Sequence, residues 1–338
     1  MNWGIIGMGY MAKKFANSFS NLNHTKLIAI SSKSLFKLKK YGDKFRISKH
    51  RRFNDYEKIL LCDEIDNIYI STINNSHFEI INKAIKYKKN ILCEKPMVTN
   101  YEEAKEIVNK LRKNNVFFME SIPYILHPLT NFLLKVIKEK TIGDLVEIKS
   151  TFGNNKSTKN NQRLFDKNLG GGAILDLGCY PITFSNLIAN LENSENELPK
   201  ITKAHGNISK NKVDTEASIK LSYENGLESN ISVSIINNME NKTILVGKKG
   251  EILINNLWSP ELKSFLEVDL KSRYYKLFVQ SKYSLIENQI NYVNQLINNN
   301  KFEASSKKMN WSNSLDNAYI LEQWKQNLIK RNENQQKL

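Results

Sequence analysis

The sequence predicts an α/β protein: an N-terminal doubly wound parallel sheet, then an α+β domain with a large, mostly antiparallel open sheet. Three observations carry this prediction. Short apolar runs alternate with amphipathic helical patterns over the first third of the chain. After about residue 123, strand-like runs follow one another with turns rather than helices between them. Helical patterns flank that second series and return near the C-terminus.

In the first third WGIIG, KLIAISS, NIYIST and NILCEKP read as strands, and VFFMES as a further one. Between them MAKKFANSFSNL, LFKLKKYGDKF, NDYEKILLC and HFEIINKAIKYKK carry helical periodicity. TNYEEAKEIVNKLRKNN adds a helix, with Thr99 as its expected cap and acids in its first turn. Strands alternating with helices require parallel crossovers, hence an open doubly wound sheet.

The second series is EIKSTFG, ITKAHGNIS, ASIKLSYENG, ESNISVSII, KTILVGKKG and EILINNL. Turns such as ENG and KKG separate its members, which indicates antiparallel pairing. PLTNFLLKVIKEK and GGGAILDLGCYPITFSNLI read as flanking helices, with a kink expected just after Tyr180 because Pro181 removes a donor. From SLIENQINYVNQLINN onward the chain returns to helix. Two directly packed domains are expected, 1–122 and 123–338.

Composition narrows the function classes. With 338 residues and 41% hydrophobic content, a sizeable core can be buried and disorder is not the default. The apolar start WGIIGMGYM is short and broken by Lys13 and Lys14, so no signal peptide is read, and no stretch approaches about 18 apolar residues. A soluble, cytoplasmic protein without membrane contact is expected. Cys62, Cys93 and Cys179 are scattered, and the five histidines show no ligand spacing, so neither a disulfide framework nor a metal site is expected. The net charge of +16 is spread along the chain without a basic helix or an aromatic nucleic-acid motif. It reads as a lysine-rich solvated surface whose positive field favours anionic ligands, not nucleic acid.

Gly7-Met8-Gly9-Tyr10-Met11-Ala12 is a GxGxxA between an apolar strand and a helix. Its glycines allow a tight turn and close approach of a pyrophosphate to the helix N-terminus. Dinucleotides with a free ribose 2′-hydroxyl are usually held by an acid at the end of the second strand. Here Ser31, Ser32, Lys33 and Ser34 stand there, with Lys37 following and no acid. Hydroxyl and ammonium groups suit a 2′-phosphate, so NADP(H) is favoured over NAD(H). The alternative is that Lys33 is simply one more surface lysine.

LCEKP falls where a fifth strand ends, so Glu94 and Lys95 belong at the carboxyl edge of the sheet, where ligands bind in such folds. In GGGAILDLGCYPI, Asp176 and Tyr180 lie four residues apart, on one face if the stretch is helical. Glycines 170 to 172 let backbone and ligand come close. A phenol can give a proton to a carbonyl if a nearby cation lowers its pKa, and Lys95 is the candidate cation. Asp176 then orients the substrate or the lysine. The alternative is a glycine turn followed by a buried tyrosine satisfied by an acid.

GMGYMA, STINNSHFE, LCEKPMVTN, MESIPYILHP, RLFD and GGGAILDLGCYPI occur in the order found in the Gfo/Idh/MocA oxidoreductases, which the chain resembles over nearly its whole length. The resemblance implies a Rossmann NAD(P)-binding domain and a C-terminal substrate-binding α/β domain whose open sheet makes homodimer or homotetramer contacts. It implies hydride transfer between a nicotinamide and a carbon of a sugar, sugar derivative or cyclic polyol. By the same resemblance Lys95, Asp176 and Tyr180 match the family's catalytic positions. Thr72, Asn74 and His77 fall near the cofactor, and Tyr124 and Arg163 near the substrate. Tyrosine at position 180 is similar to the dihydrodiol dehydrogenase and glucose–fructose oxidoreductase branch. Two departures stand out: Ile73 replaces a common proline, and Ile125 replaces an arginine frequent in that branch. Arg163 is a substitute for that arginine or a salt-bridged loop residue, and His127 reads as structural.

The reading is therefore an NADP(H)-dependent oxidoreductase in which Tyr180 moves the alcohol proton with help from Lys95. Two rivals stand beside it. One is an enzyme that retains and internally recycles NADP(H); the other is a nucleotide-binding sensor or scaffold without turnover.

Overall fold

The computed structural model describes residues 1–156, 161–191 and 197–335. They form two compact units: Met1–Pro123 with Tyr283–Leu315, and Tyr124–Lys282 with Asp316–Leu338. The sequence reading placed one boundary at residue 122 and kept all later residues together; in the structure 283–315 group with the first unit.

The first unit runs β1 (Asn2–Ile6), α1 (Tyr10–Ser18), β2 (Lys26–Ser31), α2 (Leu35–Lys44), β3 (Arg52–Phe53), α3 (Tyr56–Leu60), β4 (Asn67–Ile70), α4 (His77–Lys86), β5 (Asn90–Glu94), α5 (Tyr101–Arg112) and β6 (Phe118–Ser121). Its six strands are ordered β3-β2-β1-β4-β5-β6, and every pair is parallel. The order reverses between β1 and β4, which opens a crevice at their carboxyl ends. Buried apolar residues fill β1, β4 and β5 almost continuously, as a sheet covered on both faces requires. Phe15 stacks on Tyr69 at 3.8 Å and Trp3 meets Phe15 edge-on, joining α1 to the sheet.

The cap of α5 differs from expectation. Asn100, not Thr99, accepts from the Glu103 backbone N–H at 2.9 Å. Asn100 has the extended backbone that an N-cap needs, one residue further on.

The second unit contains α6 (Pro128–Lys138), β7 (Leu145–Gly153), α7 (Cys179–Ala189), β8 (Lys200–Ile208), β9 (Asp214–Ser222), β10 (Glu228–Ser234), β11 (Lys242–Gly247), β12 (Glu251–Asn255), β13 (Lys263–Asp269) and β14 (Tyr274–Gln280). The eight strands are ordered β14-β13-β12-β11-β7-β10-β9-β8. All pairs are antiparallel except β7 with β10. Thus the expected large, mostly antiparallel sheet is present. The β13–β14 hairpin was not foreseen: no residue of β14 is fully buried, so its apolar pattern is weak. The two-residue β3 is too short to show any period.

Before α7, residues Ile174–Gly178 form a π-helical turn, and Pro181 sits inside the first turn of α7. The irregularity therefore lies before Tyr180 rather than after it. A proline at 181 cannot donate to the carbonyl of residue 177, and the widened turn precedes that gap. The segment Lys167–Ala189 passes the length and mean-hydropathy requirements of a membrane span by composition alone. Its window is 89% buried within the protein, which makes it a core helix.

Two further helices follow among the described residues, α8 (Leu285–Asn298) and α9 (Trp311–Gln335). Ser284 and Glu287 form a reciprocal capping box at the start of α8. Within the first unit α8 is tied to the sheet by buried hydrogen bonds, from Trp3 Nε1 to Asn294 Oδ1 at 3.1 Å and from Ser121 Oγ to Gln289 Oε1 at 3.1 Å.

Candidate active site

The crevice between β1 and β4 is built by backbone. The Gly7 amide donates to Ser31 O at 2.9 Å, and Ser71 Oγ donates to Gly7 O at 2.9 Å. Gly7 has φ +90°, and a Cβ there would lie 2.8 Å from Ser71 O, so only glycine fits. Gly9 is different. It is the N-cap of α1 and has no side-chain cap, and a Cβ on it would meet nothing nearer than Ser71 O at 3.9 Å. The first turn of α1 carries no acid. Open space above unsatisfied N–H groups at a positive helix end fits a pyrophosphate. Of the other motif residues, Ala12 is buried, Met11 is half-buried and Tyr10 is exposed.

At the end of β2 the Ser32 Oγ accepts from Ser34 N at 3.2 Å, and Ser34 caps α2 by accepting from Lys37 N at 3.3 Å. Lys33 and Lys37 are exposed, and the Lys33 ammonium lies 5.4 Å from the centre of the Tyr56 ring. The polar, acid-free character read from the sequence is thus matched by a fixed loop.

The turn after β5 is braced by several buried side chains. The Lys95–Pro96 bond is cis. His77, fully buried at the start of α4, points Nδ1 at Pro96 O (3.0 Å) and Nε2 at Thr72 O (3.4 Å). It therefore ties this turn to the segment bearing Thr72 and the buried Asn74. Ile73 has φ −75° and ψ 150°, a conformation proline itself adopts, so the segment keeps its course without the family proline. Glu94 is buried and accepts from the Tyr69 hydroxyl and from Ser121 Oγ. Burial raises its pKa, while these donors and the neighbouring Lys95 charge lower it in part. Glu120 accepts from Met97 N at 2.9 Å, and burial pushes its carboxyl up to about 7. Glu120 was missed in the sequence, although an acid inside VFFMES was a visible signal.

In the second unit the glycine run has a different cause from the one expected. Gly172 has φ +122°, and a Cβ there would come within 2.3 Å of Asp214 Oδ1. The close approach is to the protein's own carboxylate, not to a ligand. Asp214 Oδ2 accepts from Ile174 N at 2.7 Å, so it caps the helical run that carries Asp176. Burial raises Asp214 to about 6 against the pull of those amides. No local pattern in VDTEAS marks this role.

Asp176 is buried and pairs with Arg163, whose Nη2 lies 3.4 Å from Oδ1. Arg163 is thus a salt-bridged loop residue. Tyr180 is half-buried among aromatic rings, 5.5 Å from Phe152 and 5.9 Å from Tyr124. Tyr124 is fully buried and donates its hydroxyl to the Tyr180 carbonyl at 2.9 Å. Ile125 is buried in the core, and His127 caps α6 by accepting from Leu129 N at 3.1 Å. Lys95 belongs to the first unit, and Asp176 and Tyr180 to the second. No group of three metal-ligating side chains occurs among the described residues.

A glycine turn and an uncapped helix start at the switch point of a parallel sheet form a dinucleotide cradle, and comparison with known proteins gives the class, a nicotinamide-nucleotide oxidoreductase. Residues 1–121 match the model of an oxidoreductase family with an NAD-binding Rossmann fold, and residues 132–253 match the GFO/IDH/MocA C-terminal domain. A trans-1,2-dihydrobenzene-1,2-diol dehydrogenase from Xenopus laevis is 32% identical over 262 residues, 76% of each chain. The enzyme of that name from Mus musculus is 31% identical, over 77% of this chain and 76% of its own. A 3-ketoreductase from Actinomadura kijaniata, crystallised with TDP-benzene and NADP, shares the fold at TM-score 0.88 and 18% identity, covering 97% of this chain and 98% of that one. An aldose–aldose oxidoreductase from Caulobacter crescentus shares it at TM-score 0.86 and 18% identity, with 98% of both chains covered. The chain belongs to the Gfo/Idh/MocA family of oxidoreductases, NAD(P)-binding enzymes acting on CH–OH groups.

Proposed function

We propose that this protein transfers a hydride between NADP(H) and the carbonyl or secondary-alcohol carbon of a sugar, sugar derivative or cyclic diol. The observation that carries the cofactor choice is the loop after β2, where Ser32, Lys33 and Lys37 stand and no acid does. The substrate class rests on the relatives: two are named for a cyclic diol and one structural neighbour for an aldose.

When bound, the nicotinamide supplies or accepts the hydride; the proton is left to the protein. Tyr180 gives its phenolic proton to the carbonyl oxygen during reduction and takes it back during oxidation. Lys95 contributes the positive charge that eases this transfer. The pairing of these two rests on the family pattern. Asp176, turned by Arg163, accepts a hydrogen bond from a substrate hydroxyl. Tyr124 supports Tyr180 from behind through its carbonyl and has no proton to spare for substrate.

The cofactor test is a fluorescence titration of the stripped protein with NADPH and with NADH. Tight NADPH and weak NADH binding is the expected result, and Lys33→Glu should abolish the preference. Unchanged NADPH affinity in that variant would refute the assignment. The proton-transfer test is a single-turnover measurement at several pH values on Tyr180→Phe and Lys95→Met, after a carbonyl screen has found a turned-over compound. Tyr180→Phe should lower the rate by about 100-fold, and unaltered rates in both variants would sink the mechanism.

A further inference from the structure

Lys33 is held from one side by Tyr56. Its ammonium stands 5.4 Å from the ring centroid. Burial raises the Tyr56 phenol's pKa, and the Lys33 backbone amide beside its hydroxyl pulls it back in part. Tyr56 is itself anchored. It opens α3, whose cap Asp55 accepts from Glu57 N at 2.7 Å, and the Asp55 carbonyl accepts from Ser31 Oγ at 3.0 Å. Ser32 N donates to Phe53 O at 3.0 Å, so β2, β3 and the start of α3 form one braced corner.

The nature of this contact matters. An aromatic face attracts an ammonium without consuming its three N–H donors and without cancelling its charge. A carboxylate partner would do both and would repel a phosphate. Among the described residues Lys33 makes no ion pair. Beside it, the Ser32 oxygen already accepts from Ser34 N, leaving the hydroxyl hydrogen to donate. A free lysine loses considerable rotamer freedom on binding, and pre-ordering it reduces that loss.

We infer that Tyr56 is a positioning residue for cofactor selection: it holds the Lys33 ammonium at the end of β2, where Lys33 and Ser32 recognise the 2′-phosphate of NADP(H). The inference rests on the NADP(H) reading above.

The test is a double-mutant cycle read by NADPH and NADH dissociation constants on the full, cofactor-stripped chain. Lys33→Met should weaken NADPH binding about tenfold and leave NADH unchanged. Tyr56→Leu should weaken NADPH about threefold, again sparing NADH, and Tyr56→Phe, which keeps the ring, should lose less. In the Lys33→Met background, Tyr56→Leu should change nothing further. Tyr56→Met serves the same comparison if the leucine variant does not fold. Equal losses for both cofactors, or the same loss with and without Lys33, would overturn the positioning role. A silent Lys33→Met would overturn the NADP(H) reading and this inference together. A silent Tyr56→Leu beside an effective Lys33→Met would overturn the inference alone.

Discussion

Glu120 holds its proton at a pH where an ordinary carboxylic acid has lost it. Burial raises its pKa from 4.5 to about 7, so between those values the folded protein binds a proton that the unfolded chain releases. The associated stability is present below about pH 4.5 and is lost as pH rises through 7. Asp214, raised from 3.8 to about 6, acts in the same direction over a lower window. The melting midpoint of the wild type should therefore fall between pH 5 and 7.5 at fixed ionic strength. Glu120→Gln, which keeps the acceptor for Met97 N, should flatten that fall and raise the midpoint at pH 8 by about 3 °C. A variant with the wild-type slope would contradict the assignment. At Tyr180 the expected effect is smaller: Tyr124→Phe removes the hydroxyl bonded to its carbonyl and should cost about 1 kcal/mol by denaturant unfolding. At this scale the sequence was uneven. Lys95, Asp176 and Tyr180 stood out because polar groups interrupt apolar runs. Asp214 was invisible because the amide it caps, Ile174 N, is 40 residues away.

The two glycine motifs look alike as text and differ as elements. At Gly9 an added methyl meets open space, whereas at Gly172 it meets the Asp214 carboxylate at a forbidden φ. Gly9→Ala should keep the wild-type melting midpoint and lose cofactor affinity by at least tenfold, because its methyl occupies the approach of the pyrophosphate. Gly172→Ala should instead unfold at markedly lower temperature, by about 3 kcal/mol or more, with the loss visible in thermal melts without any ligand. Reversed outcomes would mean that the roles of the two motifs have been exchanged. The sequence distinguished strand from helix well where burial is two-sided, as in β4 and β5. It failed at β13–β14, where few residues face the core, and at the π-helical turn, which has no composition of its own.

For the molecule as a whole, the parallel sheet followed by the antiparallel one was legible because each imposes its own rhythm of connections. The return of residues 283–315 to the first unit was not, since helical periodicity states that a face is buried and not against what. The +16 charge has a consequence of its own. If a dianionic phosphate is read by Lys33 and Lys37, NADPH affinity should fall more steeply with salt than NADH affinity, which parallel titrations from low to high ionic strength would show.

That discontinuous first unit also sets a schedule. Trp3 on the first strand finds Asn294, and the Phe118 amide finds the Phe302 carbonyl. A ribosome making this chain in order will have released the whole β-α-β run long before either partner exists. The nucleotide-binding half stays incomplete while more than 150 residues of another unit are made between its two parts. A gene cut at residue 122 would deliver the parallel sheet without the helix that Trp3 and Ser121 bond, so the first unit is whole only when residues 283–315 are present as well.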